Sequence, residues 1–191
     1  MASDPPNLSD LRCEIDALDD QLLELLEKRM RVAIEVARLK GDDGLLKLRP
    51  RREGAIVRRL SANATIASDA LIAHVWRELM AHSRQSQAAM EVQLYAPRHG
   101  AILREAARNR FGRVTPIVEA ASPAAAIAAA ASGEVVAMIE LDAGGWQHEL
   151  TASVRVFGVL GTGNARAALI GRMDEIDIPD EERAAIAGLG A

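Results

Sequence analysis

The 191-residue chain has a single cysteine, Cys13, and only five aromatic residues: Trp76, Tyr95, Phe111, Trp146 and Phe157. One cysteine excludes an internal disulfide and a cysteine-cluster zinc site, and it fits a reducing compartment. Cys13 itself reads as a small helix residue. Surplus positive charge is also missing, with 23 Lys plus Arg against 27 Asp plus Glu. Without a cationic excess or aromatic stacking surfaces, general nucleic-acid binding is excluded. No apolar run approaches the roughly 20 residues of a membrane span, and the start, MASDPPNLSD, lacks the basic and apolar stretches of a targeting segment. A soluble, cytoplasmic protein with no membrane contact is expected. His74, His82, His99 and His148 share no metal-ligand spacing, and no nucleophile sits beside a base, so neither a metal nor covalent catalysis is expected.

What is present divides near residue 90, with cations and acids matched at 14 each before it and 9 against 13 after it. Asn7 or Ser9, after Pro5 and Pro6, is placed to cap a helix whose first turn is acidic. From there an apolar seam alternates in steps of four and three through Leu11, Ile15, Leu18, Leu22, Leu25, Arg29, Val32, Val36 and Leu39. A helix over about residues 8–40 is roughly 50 Å long, more than its own small domain can bury. Gly41-Asp42-Asp43-Gly44 is the expected stop. Pro50 opens a second helix carrying Ile56, Val57 and Leu60, and the stretch from Ser61 to Thr65 reads as the next break. Ser68 and Asp69 cap a third, with a stripe of Ile72, Trp76, Met80, Ser83, Gln87 and Met90.

Three polar residues, Arg29, Ser83 and Gln87, thus occupy apolar stripes. A cation on such a seam needs a partner, either an acid of another helix or an anionic ligand. Lys40 follows Arg29 by 11 residues, which returns it to within about 20° of the same helix face. Lys47, Arg49, Arg51 and Arg52 surround the start of the second helix with Glu53 the one acid among them, and Arg49 and Arg51 read as a solvated basic loop. Together these residues suit a pocket for a small dicarboxylate.

The runs Leu11-Arg12-Cys13-Glu14-Ile15-Asp16-Ala17-Leu18-Asp19, Leu22 to Met30 and Val36-Ala37-Arg38-Leu39-Lys40, followed by Arg52-Glu53, Trp76-Arg77-Glu78-Leu79-Met80, Ser83 and Gln87, resemble the all-helical class of chorismate mutases over residues 8–90. The resemblance implies an all-α three-helix domain that forms an intertwined homodimer and rearranges chorismate to prephenate without a cofactor. It assigns Arg12, contributed in trans, and Arg29 to the substrate carboxylates with Ser83 assisting. Lys40 and Gln87 are assigned to the ether oxygen, and Arg52 and Glu53 to the neighbourhood of the ring hydroxyl. Many relatives carry an aspartate where this chain has Arg49, which leaves Glu53 alone to accept the hydroxyl or points to a different substrate. Isochorismate pyruvate lyase, which shares the helical fold, and a non-catalytic regulatory module of an aromatic-biosynthesis enzyme are the alternatives.

Residues 91–191 read as a small α/β domain: strands at Val92–Ala96, Pro116–Glu119, Val135–Leu141, Val154–Leu160 and Ala167–Ile170, and helices at Ile102–Arg110, 123–131 and Glu181–Ala187. This part bears a fainter resemblance to one lobe of the periplasmic-binding-like fold of prephenate dehydratases. It lacks their Thr-Arg-Phe tripeptide and the length for two lobes, so dehydratase activity is not expected. Gly161-Thr162-Gly163 reads as a plain turn, since Arg166 stands where a dinucleotide loop needs Gly or Ala. Trp146 and His148 read as exposed loop residues. On this division residues 1–90 suffice for fold, dimer and chemistry.

Overall fold

The computed structural model describes residues 7–41 and 44–189. Pro5 and Pro6, and the Asp42-Asp43 pair expected to break the first helix, lie outside the described residues. The chain divides after Gly41 into two compact units, 1–41 and 42–191.

The first unit is one helix, α1 (Leu8–Lys40). Asn7 caps it as a reciprocal box: the Asn7 side chain accepts from the Ser9 and Asp10 backbones, and the Asp10 carboxylate accepts from the Asn7 N–H. Apart from half-buried Arg29, the seam read from the sequence is apolar and, in the single chain, exposed: 43% at Leu11, 57% at Leu22, 63% at Leu25 and 87% at Leu39.

The second unit contains α2 (Pro50–Asn63), α3 (Asp69–Gln85), and an α/β assembly. The assembly runs β1 (Glu91–Tyr95), α4 (Gly100–Phe111), β2 (Ile117–Glu119), α5 (Pro123–Ala130), β3 (Val135–Glu140), β4 (Arg155–Thr162), β5 (Ala165–Gly171) and α6 (Asp180–Ala187). Its five-stranded sheet has the order β2-β1-β3-β5-β4, with β1 parallel to β2 and β3, and β5 antiparallel to β3 and β4. Each strand and helix expected after residue 90 is present, within a few residues of its expected ends. The Gly161 to Gly163 stretch belongs to the β4–β5 hairpin, in which Thr162 pairs with Ala165, so it is the turn expected.

Every residue of β3, the central strand, is buried, as a strand covered on both faces requires. Alternation sends Val136 and Met138 to a core shared with Leu103, Ala107 and Phe111 of α4, and Ala137 and Ile139 to one shared with Ala126, Ile127 and Ala130 of α5. Trp146, expected in an exposed loop, is 2% exposed and belongs to the second core. Its apolar ring outweighs its place beside two glycines.

The segment before α2 is built into the first of these cores. Leu46 and Leu48 point the same way by the two-residue period of extended chain, and both are fully buried with Val92, Phe157 and Leu169. The Leu46 N–H donates to the Arg172 carbonyl (2.8 Å). Gly133 (φ 85°) makes this approach possible, because a Cβ there would stand 2.2 Å from the Gly44 carbonyl oxygen. The packing boundary at residue 41 therefore differs from the division at residue 90 expected from the change of periodicity and the extent of the resemblance.

Candidate functional site

Of the residues singled out in sequence, Arg12, Arg29 and Lys40 lie on α1, while Arg52, Glu53, Ser83 and Gln87 lie in the second unit. Arg12 is exposed and Arg29 half-buried, and burial holds the Arg29 guanidinium below its ordinary pKa. Seventeen residues separate the two arginines, roughly 25 Å along a straight helix. Lys40 is the last residue of α1, with Gly41 at the C-cap.

Pro50 opens α2, and the next turn carries Arg52 outward and Glu53 inward. Glu53 is buried, and its two oxygens are held by different arginines: Oε1 by Arg84 Nη1 at 2.5 Å and Oε2 by Arg110 Nη1 at 3.0 Å. Arg84 is itself buried and donates through Nη2 to the Phe111 carbonyl at 2.9 Å. Burial lowers the Arg84 pKa, the Glu53 carboxylate raises it, and nearby Arg110 lowers it again, for a net decrease. Glu53, Arg77, Met80 and Arg110 line a cavity of about 280 Å³. Neither Arg84 nor Arg110 was singled out from the sequence. A signal for the first exists, since Arg77, Ala81 and Arg84 recur at helical spacing on one face of α3. Nothing local marks Arg110, 57 residues from Glu53.

Ser83 is buried on α3, as its stripe requires, and its hydroxyl donates to the Leu79 carbonyl at 2.8 Å. Gln87 departs from the expected stripe, because α3 ends at Gln85 and Gln87 is exposed in the turn that follows. The cause is Gln85, whose side-chain amide donates to the Met90 carbonyl (2.6 Å) while its Oε1 accepts from the Met90 N–H (3.4 Å). That clamp turns the chain toward β1 before another helical turn can form.

Arg49 and Arg51 are not in a free loop: Arg49 occupies the N-cap of α2 and is half-buried, while Arg51 lies in the helix and, though exposed, is paired. Arg49 Nη1 donates to the Leu46 carbonyl at 2.5 Å and its Nε lies 3.2 Å from Asp177, while Arg51 Nη2 meets Asp180 at 2.5 Å. Arg58 joins them by pairing with Glu181 at 3.2 Å. The basic start of α2 is thereby matched to the acidic segment leading into α6.

Among the described residues no cluster of three or more His, Cys, Asp or Glu is placed to hold a metal, and no helix is long and apolar enough to cross a membrane. Residues 11–88 match the family described as chorismate mutase type II, on the stretch whose residues carry the resemblance. The chain is similar to the T-protein of Haemophilus influenzae, 41% identical over 78 residues, covering 40% of this chain and 21% of that protein. It is also similar to the bifunctional chorismate mutase/prephenate dehydratase of Pseudomonas aeruginosa, 30% identical over 116 residues, covering 58% of this chain and 32% of that protein. The second similarity necessarily runs past residue 88 into the α/β part. The chain spans only a fifth to a third of the length of these relatives. No solved structure is a match.

Proposed function

We propose that this chain is a chorismate mutase, with residues 1–90 as the mutase part and 91–191 as an accompanying α/β part. The observation that carries this reading is the family match over residues 11–88, on a stretch that retains Arg12, Arg29, Lys40, Arg52, Glu53, Ser83 and Gln87 together. A pericyclic rearrangement transfers no proton and forms no adduct. The protein therefore acts only by holding the reactive conformer and by stabilising charge that develops as the C–O bond stretches. Cations and an amide donor suffice, and no cofactor enters. In this reading Arg12 and Arg29, with Ser83, hold the substrate carboxylates, and Lys40 and Gln87 meet the ether oxygen. Arg52 and Glu53 attend the ring hydroxyl.

The working form is an intertwined homodimer. Its support is the exposed apolar seam of α1, which a two-fold partner running antiparallel would cover. The 25 Å between Arg12 and Arg29 supports the same arrangement, since only a partner's Arg12 then reaches a site at Arg29 and Lys40. The single, exposed Cys13 suits the reducing cytoplasm.

Incubation of the purified chain with chorismate and identification of the product tests the reading, with prephenate expected. Pyruvate formed from isochorismate would support the lyase alternative. That alternative draws on Arg49, which is tied to the Leu46 carbonyl and Asp177 at the position where relatives carry a carboxylate. No turnover of either substrate would leave the regulatory-module reading. Because the ether oxygen gains charge only as its bond breaks, Lys40→Ala is expected to lower kcat at least a hundredfold, on the order of 3 kcal/mol. An unchanged kcat with a raised KM would refute the role.

A further inference from the structure

We propose that Arg110, which lies beyond the stretch matched to the mutase family, is a positioning residue for that reaction and acts by holding Glu53. The proposal rests on the mutase reading and adds to it a contribution from the α/β part. Two guanidinium groups approach the Glu53 carboxylate on its separate oxygens, Arg84 on Oε1 and Arg110 on Oε2. Both are anchored at Phe111: Arg84 donates to its carbonyl, and the Arg110 guanidinium lies 5.4 Å from the centroid of its ring. Phe111 is fully buried in the core between α4 and the sheet, so the anchor is as rigid as that core.

Held on both oxygens, the carboxylate has a fixed plane and cannot turn about its Cγ–Cδ bond. An ionised carboxylate has about four acceptor sites, so the two internal bonds leave capacity for a hydroxyl donor from the cavity that Glu53 and Arg110 both line. Without Arg110, Oε2 loses its charged donor and the plane is free to rotate about the remaining Arg84 contact. A misplaced acceptor weakens a contact made to bound substrate and transition state alike, so the loss is expected in KM more than in kcat.

The experiment is a double-substitution cycle in the full chain, with Arg110→Gln and Glu53→Gln alone and together. Steady-state turnover of chorismate and thermal unfolding are followed in each. Arg110→Gln alone is expected to lower kcat/KM about tenfold, chiefly by raising KM. In the Glu53→Gln background the same substitution is expected to change kcat/KM less than twofold. Arg110→Lys, which keeps the charge but loses the planar fork, is expected to recover part of the loss and provides the same cycle should the glutamine variant not fold. Equal losses in both backgrounds, or no loss in the otherwise wild-type chain, would overturn the proposal while leaving the mutase reading intact. A wild-type chain that does not consume chorismate would overturn both, and that result is separate because it appears before any substitution is made.

Discussion

Ending the chain after Met90 tests how far the helical part stands alone, and the packing sets the size of the effect. The cut removes Val92, Leu103, Ala107, Phe111, Val136, Met138 and Phe157 from the core that encloses Leu46 and Leu48. Both leucines are fully buried in the whole chain. Returning each to water costs about 1.5–3 kcal/mol, hence about 3–6 kcal/mol for the pair. That is a large part of the 5–15 kcal/mol that typically stabilises a domain. With a urea dependence of about 2 kcal/mol per molar, the unfolding midpoint of the fragment is expected to lie roughly 1.5–3 M below that of the full chain. Both forms are to be compared by circular dichroism at one protomer concentration, so that the proposed dimerisation, which would stabilise each by mass action, does not enter the difference. Turnover is expected to fall with the fraction folded, and further with the loss of Arg110 from Glu53. A fragment with the midpoint and kcat of the full chain would show that Leu46 and Leu48 find equivalent cover within the helical part, and the reasoning from the shared core would fail.

If Arg12 acts in trans, Arg12→Ala and Lys40→Ala homodimers are each nearly inactive, yet unfolding and refolding them together restores activity. Random reassortment makes about half the dimers mixed with one intact site in each, so about a quarter of all sites should work; no recovery, with mixed dimers confirmed by mass, refutes the shared site. A second expectation concerns Glu140, fully buried at the end of β3, whose Oε2 accepts the Arg98 N–H at 3.0 Å while His99 Nδ1 lies against Oε1. Burial raises its pKa, but the bonds from Arg98 and His99 outweigh burial and leave it below the ordinary carboxylate value of 4.5. A carboxylate with a depressed folded pKa contributes stability above its unfolded pKa and loses it as pH falls through the folded one. The melting temperature is therefore expected to fall as pH drops below about 4.5, and Glu140→Gln to flatten that slope; an unchanged acid limb refutes the assignment.

The elements that local rules govern were readable before the structure. Asn7 or Ser9 with the acids that follow marks the start of α1, and the seam to Leu39, interrupted in character only at Arg29, gives its length. The apolar run of β3 and the turn read at Gly161-Thr162-Gly163, where β4 gives way to β5, are also local features. Where reading failed, a side-chain contact, local in one case and tertiary in the other, had outweighed the pattern. The stripe through Ser83 continues in sequence to Gln87, but the Gln85 side chain bonds the Met90 backbone and ends the helix first. Trp146 stands beside two glycines that suggest an exposed loop, and the core behind β3 takes its ring. The roles proposed for Arg12, Arg29 and Lys40 on α1 come from the resemblance to the chorismate mutases, which is carried by sequence. The surroundings of Glu53 are not, because its partner Arg110 is distant in the chain and the pairing exists only once α2, α3 and α4 are packed.

The charge asymmetry between the halves follows the same logic. An acidic back half reads, on counts alone, as a surface that repels anionic partners. In the folded chain Asp177, Asp180 and Glu181 instead meet Arg49, Arg51 and Arg58 on and just before α2. Pairs as exposed as Arg51–Asp180 and Arg58–Glu181 contribute about 0–1 kcal/mol each, so they do not account for the union of the two halves. Leu46 and Leu48 do, at several times that value. The ion pairs are better suited to direction: they fix which end of α2 faces the acidic segment, and so the sense in which Glu53, one turn into that helix, is turned toward Arg84 and Arg110. Hydrophobic burial supplies the strength of the association and complementary charge its orientation. The alternation Leu46-Lys47-Leu48-Arg49 carries both in four consecutive residues, its leucines turned to the core and Arg49 to Asp177.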